Sequence, residues 1–256
     1  MYTALALGNI FDRGIHFSFN PAGLQWRSIS IARAHAAYHA VKGGSTNARS
    51  TLAAIVVLTG RGASEVDSLS DFAAAGTSDA KAVLTAAAVL SGRSVAEVNA
   101  AYSKSQGGTT LACAILAATA ILSGRSIEEV NAVYTDSGSG SHDARAILTN
   151  AAIFSGQRIE DINRSFRIAR GGTDYSAAIV TAAAILSDKA IAEANSAYQG
   201  AQGASNVAKA TLAAASLLLG KSIEEVNDTY TKINAGSHDT TATLTAAVLA
   251  SGKPLP

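Results

Sequence analysis

Several classes are excluded by what this 256-residue chain has little of. A single cysteine, Cys113, rules out an intramolecular disulfide framework and any multi-cysteine metal site. Charged residues make up only 15% of the chain and the formal net charge is +1, so no global attraction to a polyanion is expected. No apolar run approaches the ~18 residues that span a membrane. The start, Met1-Tyr2-Thr3-Ala4, has no basic leader region, and Asp12 and Arg13 interrupt the nearby apolar stretch. A cytoplasmic location is therefore favoured. What is present is hydrophobic content of 48% with mixed charge, enough for a sizeable core and too much for wholesale disorder.

Internal repetition is the dominant signal. Gly60, Gly92, Gly124, Gly156, Gly220 and Gly252 share one 32-residue grid, broken only by Asp188. A second glycine column runs through Gly44, Gly76, Gly108, Gly140, Gly172 and Gly236, with Ala204 in the gap. The next column is always Ser or Thr: Ser45, Thr77, Thr109, Ser141, Thr173, Ser205 and Ser237. The register is unbroken from about residue 28 to the end, giving seven repeats of 32 residues. Their length is similar to that of tetratricopeptide and ankyrin units, but the Trp-Leu-Gly-Tyr and Thr-Pro-Leu-His patterns of those families are absent.

Each repeat reads as a short helix followed by a longer one. In residues 91–122, Ser94 and Glu97 form a capping-box pair, as do Ser126 with Glu129 and Ser222 with Glu225. Val95, Val98 and Tyr102 then make one apolar stripe. The short helix is expected to run to about residue 104, with Gly107-Gly108 as its stop, and Thr109 to cap the next helix. The long helix, about 110–122, is Ala-rich and apolar nearly all round. Asp79, Asp143, Asp174 and Asp239 fall in the first turns of equivalent helices, where the helix dipole favours negative charge.

One such hairpin cannot bury its own apolar faces. The predicted fold is therefore all-α: an α-solenoid of about seven helix-hairpin repeats, roughly 60–70 Å long at close helix spacing, with a closed α/α ring as the alternative. Residues 1–27, holding Trp26, Phe11, Phe17 and Phe19, read as an N-terminal cap or docking arm, and 28–256 as the repeats. The chain stops six residues into a further unit, at Pro254-Leu255-Pro256. That leaves Leu244, Val248 and Leu249 in need of a cover, from the tail or from a second molecule through the terminal repeats.

Candidate sites come from columns and from departures from them. Asn99, Asn131, Asn163, Asn195 and Asn227 form a column bordering the stripe, with His35 and Asp67 in the same register. Such amides either fix repeat spacing or hold the backbone of an extended peptide. The aromatic column (Tyr38, Tyr102, Tyr134, Phe166, Tyr198, Tyr230) reads as core with hydroxyls at the rim. The basic column (Arg61, Arg93, Arg125, Lys189, Lys221, Lys253) is mostly matched by an acid four residues on, so nucleic acid is an unlikely partner. The largest departures lie at 155–186. Arg164, Arg167 and Arg170 fan over one side of a short helix, Tyr175 follows at the next corner, Arg158 replaces the capping Ser, and Asn150 stands where Ala is usual. This cluster suits an acidic peptide or another anionic partner.

Catalysis and cofactors are not expected. His142-Asp143 and His238-Asp239 sit three repeats apart, too far to share a metal in an open array. His35 and His39 have no evident third ligand. The Gly-x-Ser-x-Gly within 136–141 lies in a loop rather than a strand-to-helix elbow. The expected function is a non-catalytic binding scaffold for a protein or peptide. The alternative is a structural protein that self-assembles into filaments or particles.

Overall fold

The computed structural model describes residues 31–251. The expected cap or arm at 1–27 and the tail Pro254-Leu255-Pro256 lie outside the described residues. Within them the chain is all-helical: fourteen helices cover 75%, with no strand.

Short helices alternate with long ones. The short helices are α1 (Ile31–Ala40), α3 (Ala63–Asp71), α5 (Val95–Lys104), α7 (Ile127–Thr135), α9 (Ile159–Ile168), α11 (Ile191–Gly200) and α13 (Ile223–Ile233). The long helices are α2 (Thr46–Thr59), α4 (Ser78–Ser91), α6 (Thr110–Ser123), α8 (His142–Ser155), α10 (Asp174–Leu186), α12 (Asn206–Leu219) and α14 (His238–Ser251).

Local chemistry sets these boundaries. Every Ser or Thr of the capping column precedes a long helix and accepts the backbone N–H three residues on, from Ser45 with Ala48 to Ser237 with Thr240. Each long helix before Gly60, Gly92, Gly124, Gly156 and Gly220 ends in a left-handed glycine. Asp188 fills the exceptional position and is forced to φ 54°. Both halves of the capping box form at Ser94/Glu97 and Ser126/Glu129. At Ser222 the hydroxyl accepts from the Glu225 N–H, while the Glu225 carboxylate pairs with Lys221 (2.7 Å). The short helix α5 ends at Lys104, as expected, before extended Ser105, whose N–H returns to the Tyr102 carbonyl.

Each long helix packs against the long helices before and after it, and each short helix against the long helices that flank it in sequence. The core between the two sets is built from repeated positions. Leu52, Leu84, Leu116, Leu148, Val180, Leu212 and Leu244 are at most 1% exposed, and Ala34, Val66, Val98, Val130, Ile162, Ala194 and Val226 are fully buried. Burying one such leucine contributes about 1.5–3 kcal/mol. The first and last members of these columns, Ala34 and Leu244, are as buried as the middle ones.

The reason lies in the packing of the two ends. Helix α14 packs on α2 and on α1, and α13 packs on α1. The Thr240 hydroxyl points to the Thr46 carbonyl at 3.4 Å. Val248 and Leu249 are half-buried against the same core. The cover that Leu244 was expected to need from a tail or a second molecule is thus supplied by the chain's own first helices.

Candidate functional site

The asparagine column makes a regular set of clamps. Asn131 Nδ2 donates to the Lys104 carbonyl (3.0 Å), and its Oδ1 accepts from the Gln106 N–H (3.1 Å). The same pair of bonds, to residues 27 and 25 positions back, recurs at Asn99, Asn163, Asn195 and Asn227. Asp67 holds the Lys42 N–H with both carboxylate oxygens (3.0 and 3.2 Å). Each amide therefore fastens the loop after the preceding short helix, where backbone groups would otherwise lack partners.

Tyrosines reinforce the same loops. The hydroxyls of Tyr134 and Tyr198 donate to the carbonyls of Gly107 and Gly171 (2.7 and 2.8 Å). Burial raises the pKa of Tyr102, Tyr134, Tyr198 and Tyr230, so they stay protonated through the neutral range. A bond from the Ser94 backbone N–H lowers the Glu97 pKa, and one from Ser126 does so for Glu129. These capping contacts are complete above the ordinary carboxylate pKa and are lost as acid protonates the folded form.

The described members of the basic column are paired, and Lys253 lies outside the described residues. Arg61, Arg93, Arg125, Lys189 and Lys221 each meet the carboxylate four residues on, at exposed positions. Exposed pairs of this kind are worth ~0.2–1 kcal/mol. The His-Asp pairs divide between different partners. His142 and His238 meet the hydroxyls of Tyr134 and Tyr230 through Nδ1 (2.7 and 2.9 Å), whereas Asp143 and Asp239 accept from Thr109 and Ser205. Among the described residues no group of three His, Cys, Asp or Glu side chains is placed to hold a metal ion. No described helix is long and apolar enough to cross a membrane.

The arginine cluster divides in two. Arg164, Arg167 and Arg170 are exposed on and just after α9, beside Ile168, which is 62% exposed. Arg164 pairs with Asp161 and Arg158 with Glu160 (3.3 Å). Asn150 is buried and donates to Thr119 Oγ1 (3.0 Å). Tyr175 does not join the arginines. It lines a cavity at the N-terminal ends of the long helices.

That cavity, about 240 Å³, is bounded by Asn47, Asp79, Leu111, Asp143, Tyr175, Val207 and Asp239, with Thr51 and Thr243 deeper in. The seven rim residues are successive members of one grid column, one from each long helix. The column one turn deeper continues Thr51, Val83, Ile115, Ile147, Ile179, Thr211 and Thr243, all buried. Sequence reasoning treated Asp79, Asp143 and Asp239 only as helix-dipole partners and missed the cavity. A signal was available: this column changes residue type at almost every step, whereas the next one, Ala48 to Thr240, is Ala in five of seven repeats.

No protein-family profile matches the chain, and no curated protein is significantly similar to it.

Proposed function

We propose that the chain forms a closed ring of seven two-helix repeats and acts as a non-catalytic binding scaffold, presenting α9 to an acidic protein or peptide segment. The packing of α14 on α2 and α1 supports the closed form, because it repeats the packing of every internal long helix on its neighbours. Tyr38 adds to this. Its hydroxyl lies 3.3 Å from where a Cβ on Gly236 would stand, in the register that brings Tyr102 to the Gly76 backbone. Closure uses up the end faces that growth into a filament would need, which favours partner binding over self-assembly.

The observation that carries the binding reading is the exposure of Arg164, Arg167 and Ile168 on α9 and of Arg170 just after it, at positions the repeat does not require to be basic. Cations beside an exposed apolar side chain suit an acidic segment that carries a hydrophobic residue. In this reading the asparagine column keeps the ring's joints in place and so holds α9 in position for the partner.

The test is binding of a fluorescent acidic peptide with interspersed leucines. The triple charge reversal Arg164→Glu, Arg167→Glu, Arg170→Glu should abolish binding, with the melting temperature unchanged. Equal binding by the reversed protein would refute the assignment of α9.

A further inference from the structure

We infer that the axial cavity is a binding site for a small organic ammonium ion with an apolar body. The inference rests on the cavity itself and is independent of what α9 binds. Three observations lead to it.

The first is that the rim residues are not there for folding. The position is occupied by Asn, Asp, Leu, Asp, Tyr, Val and Asp in successive repeats, all in equivalent helices. Asp79, Asp143 and Asp239 do accept a hydrogen bond from the capping hydroxyl of the preceding long helix, namely Ser45, Thr109 and Ser205. Four repeats form the same helix start without such a carboxylate, so the fold does not demand it.

The second is that the lining is sorted. Helices α14, α2 and α4 are consecutive neighbours and contribute Asp239, Asn47 and Asp79, above Thr243 and Thr51. The opposite arc offers Leu111, Tyr175 and Val207, with Asp143 among them. One wall is thus rich in oxygen acceptors and the other is aliphatic and aromatic. A mostly apolar concavity with a few convergent polar groups is the usual form of a small-molecule site.

The third is the sign of the polar groups. Among the described residues no Lys, Arg or His side chain lines the space, and three carboxylates do. Each carboxylate accepts its intramolecular bond through Oδ1. The seven converging helix N-termini add about half a positive charge each, which leaves the mouth close to neutral overall. Selection therefore acts by direct contact. An ammonium finds carboxylate oxygens at hydrogen-bonding range, and an apolar ring finds Leu111, Tyr175 and Val207. A cavity of about 240 Å³ has room for a single-ring amine.

The experiment uses the full chain and three isosteric probes: 2-phenylethylammonium, neutral 2-phenylethanol and anionic 3-phenylpropionate. Binding is followed by calorimetry and by shifts of the Tyr175 ring signals in NMR. The ammonium should bind saturably, at least tenfold more tightly than the alcohol, and the carboxylate should not bind. Asp79→Asn and Asp239→Asn should each weaken the ammonium about tenfold. Asn47 shows that an amide is compatible with this column. Asp143→Asn, on the other arc, should have a smaller effect. Val207→Trp should fill the cavity and abolish binding while the circular dichroism spectrum is kept. Equal affinity for alcohol and ammonium, indifference to both aspartate substitutions, or no saturable binding of the ammonium would overturn the inference.

Discussion

Asp188 is the residue at which the repeat pattern and local backbone chemistry conflict. Its φ of 54° is the left-handed conformation that glycine adopts at the same grid position in five other repeats. A side chain there meets the following carbonyl oxygen, a cost that aspartate lessens but does not remove. The position is exposed, and its backbone N–H already returns to the Ile185 carbonyl (3.3 Å). Asp188→Gly should therefore stabilise the protein by about 0.5–1 kcal/mol, net of glycine's greater unfolded-state freedom. Thermal denaturation should show a rise of about 2–4 °C per kcal/mol. An unchanged or lower midpoint would mean that the Asp188 side chain provides a compensating contact. At this scale the sequence was legible wherever one residue answers one local demand: the Ser/Thr caps and left-handed glycines fall where the grid put them. It was less legible where a residue has two roles. The rim aspartates sit at helix starts and line a cavity, and only the second role requires knowing which helices are neighbours.

Elements are joined to one another by the asparagine clamps. Removing one leaves a backbone N–H and a carbonyl without their partner, and the cost depends on how far water can reach them. Asn131 is 7% exposed and Asn99 is only half-buried. Asn131→Ala should cost about 1–3 kcal/mol, and Asn99→Ala less, because solvent can take over its bonds. Urea denaturation of the two variants compares them directly, and equal costs would show that burial does not govern the clamp. The column itself could be read from spacing alone. Its targets could not, because they lie on the previous unit's loop and depend on how adjacent hairpins are offset. The end of α5 near residue 104 was read correctly, but the role of the glycines after it was not. The Gly107-Gly108 pair belongs to the approach to the next helix, where a Cβ on Gly107 would stand 2.3 Å from the Cys113 backbone nitrogen.

Across the whole molecule, in the ring proposed above, the joint between last and first units differs from the others. At the internal joints an Asn or Asp67 holds the preceding loop, but at the closing joint the register position is His35. The loop it faces is also different. Helix α13 runs to Ile233 and ends in Asn234 at φ 38°, whose N–H is satisfied within its own chain by the Tyr230 carbonyl. A loop that supplies its own partner needs no clamp. In a Cys113→Ser background, cysteines replacing Thr46 and Thr240 should be joined by a short bismaleimide within one monomer. Cross-links found only between molecules would refute closure. The all-helical class and the unit length were plain in the sequence. The proposed closure was not, because a ring depends on a small rotation at each joint, summed around the array, and no single residue encodes that sum.

The packing of α14 on α1 and α2 also bears on how such a gene can change. An open array lengthens or shortens by whole units at little cost, since each addition disturbs only its neighbours. Once the last unit must meet the first, one duplicated unit obliges every joint to flatten, and one deleted unit obliges every joint to bend more sharply. Unit number is then inherited as a fixed property. Variation accumulates within units, in columns such as the cavity rim that the joints leave unconstrained.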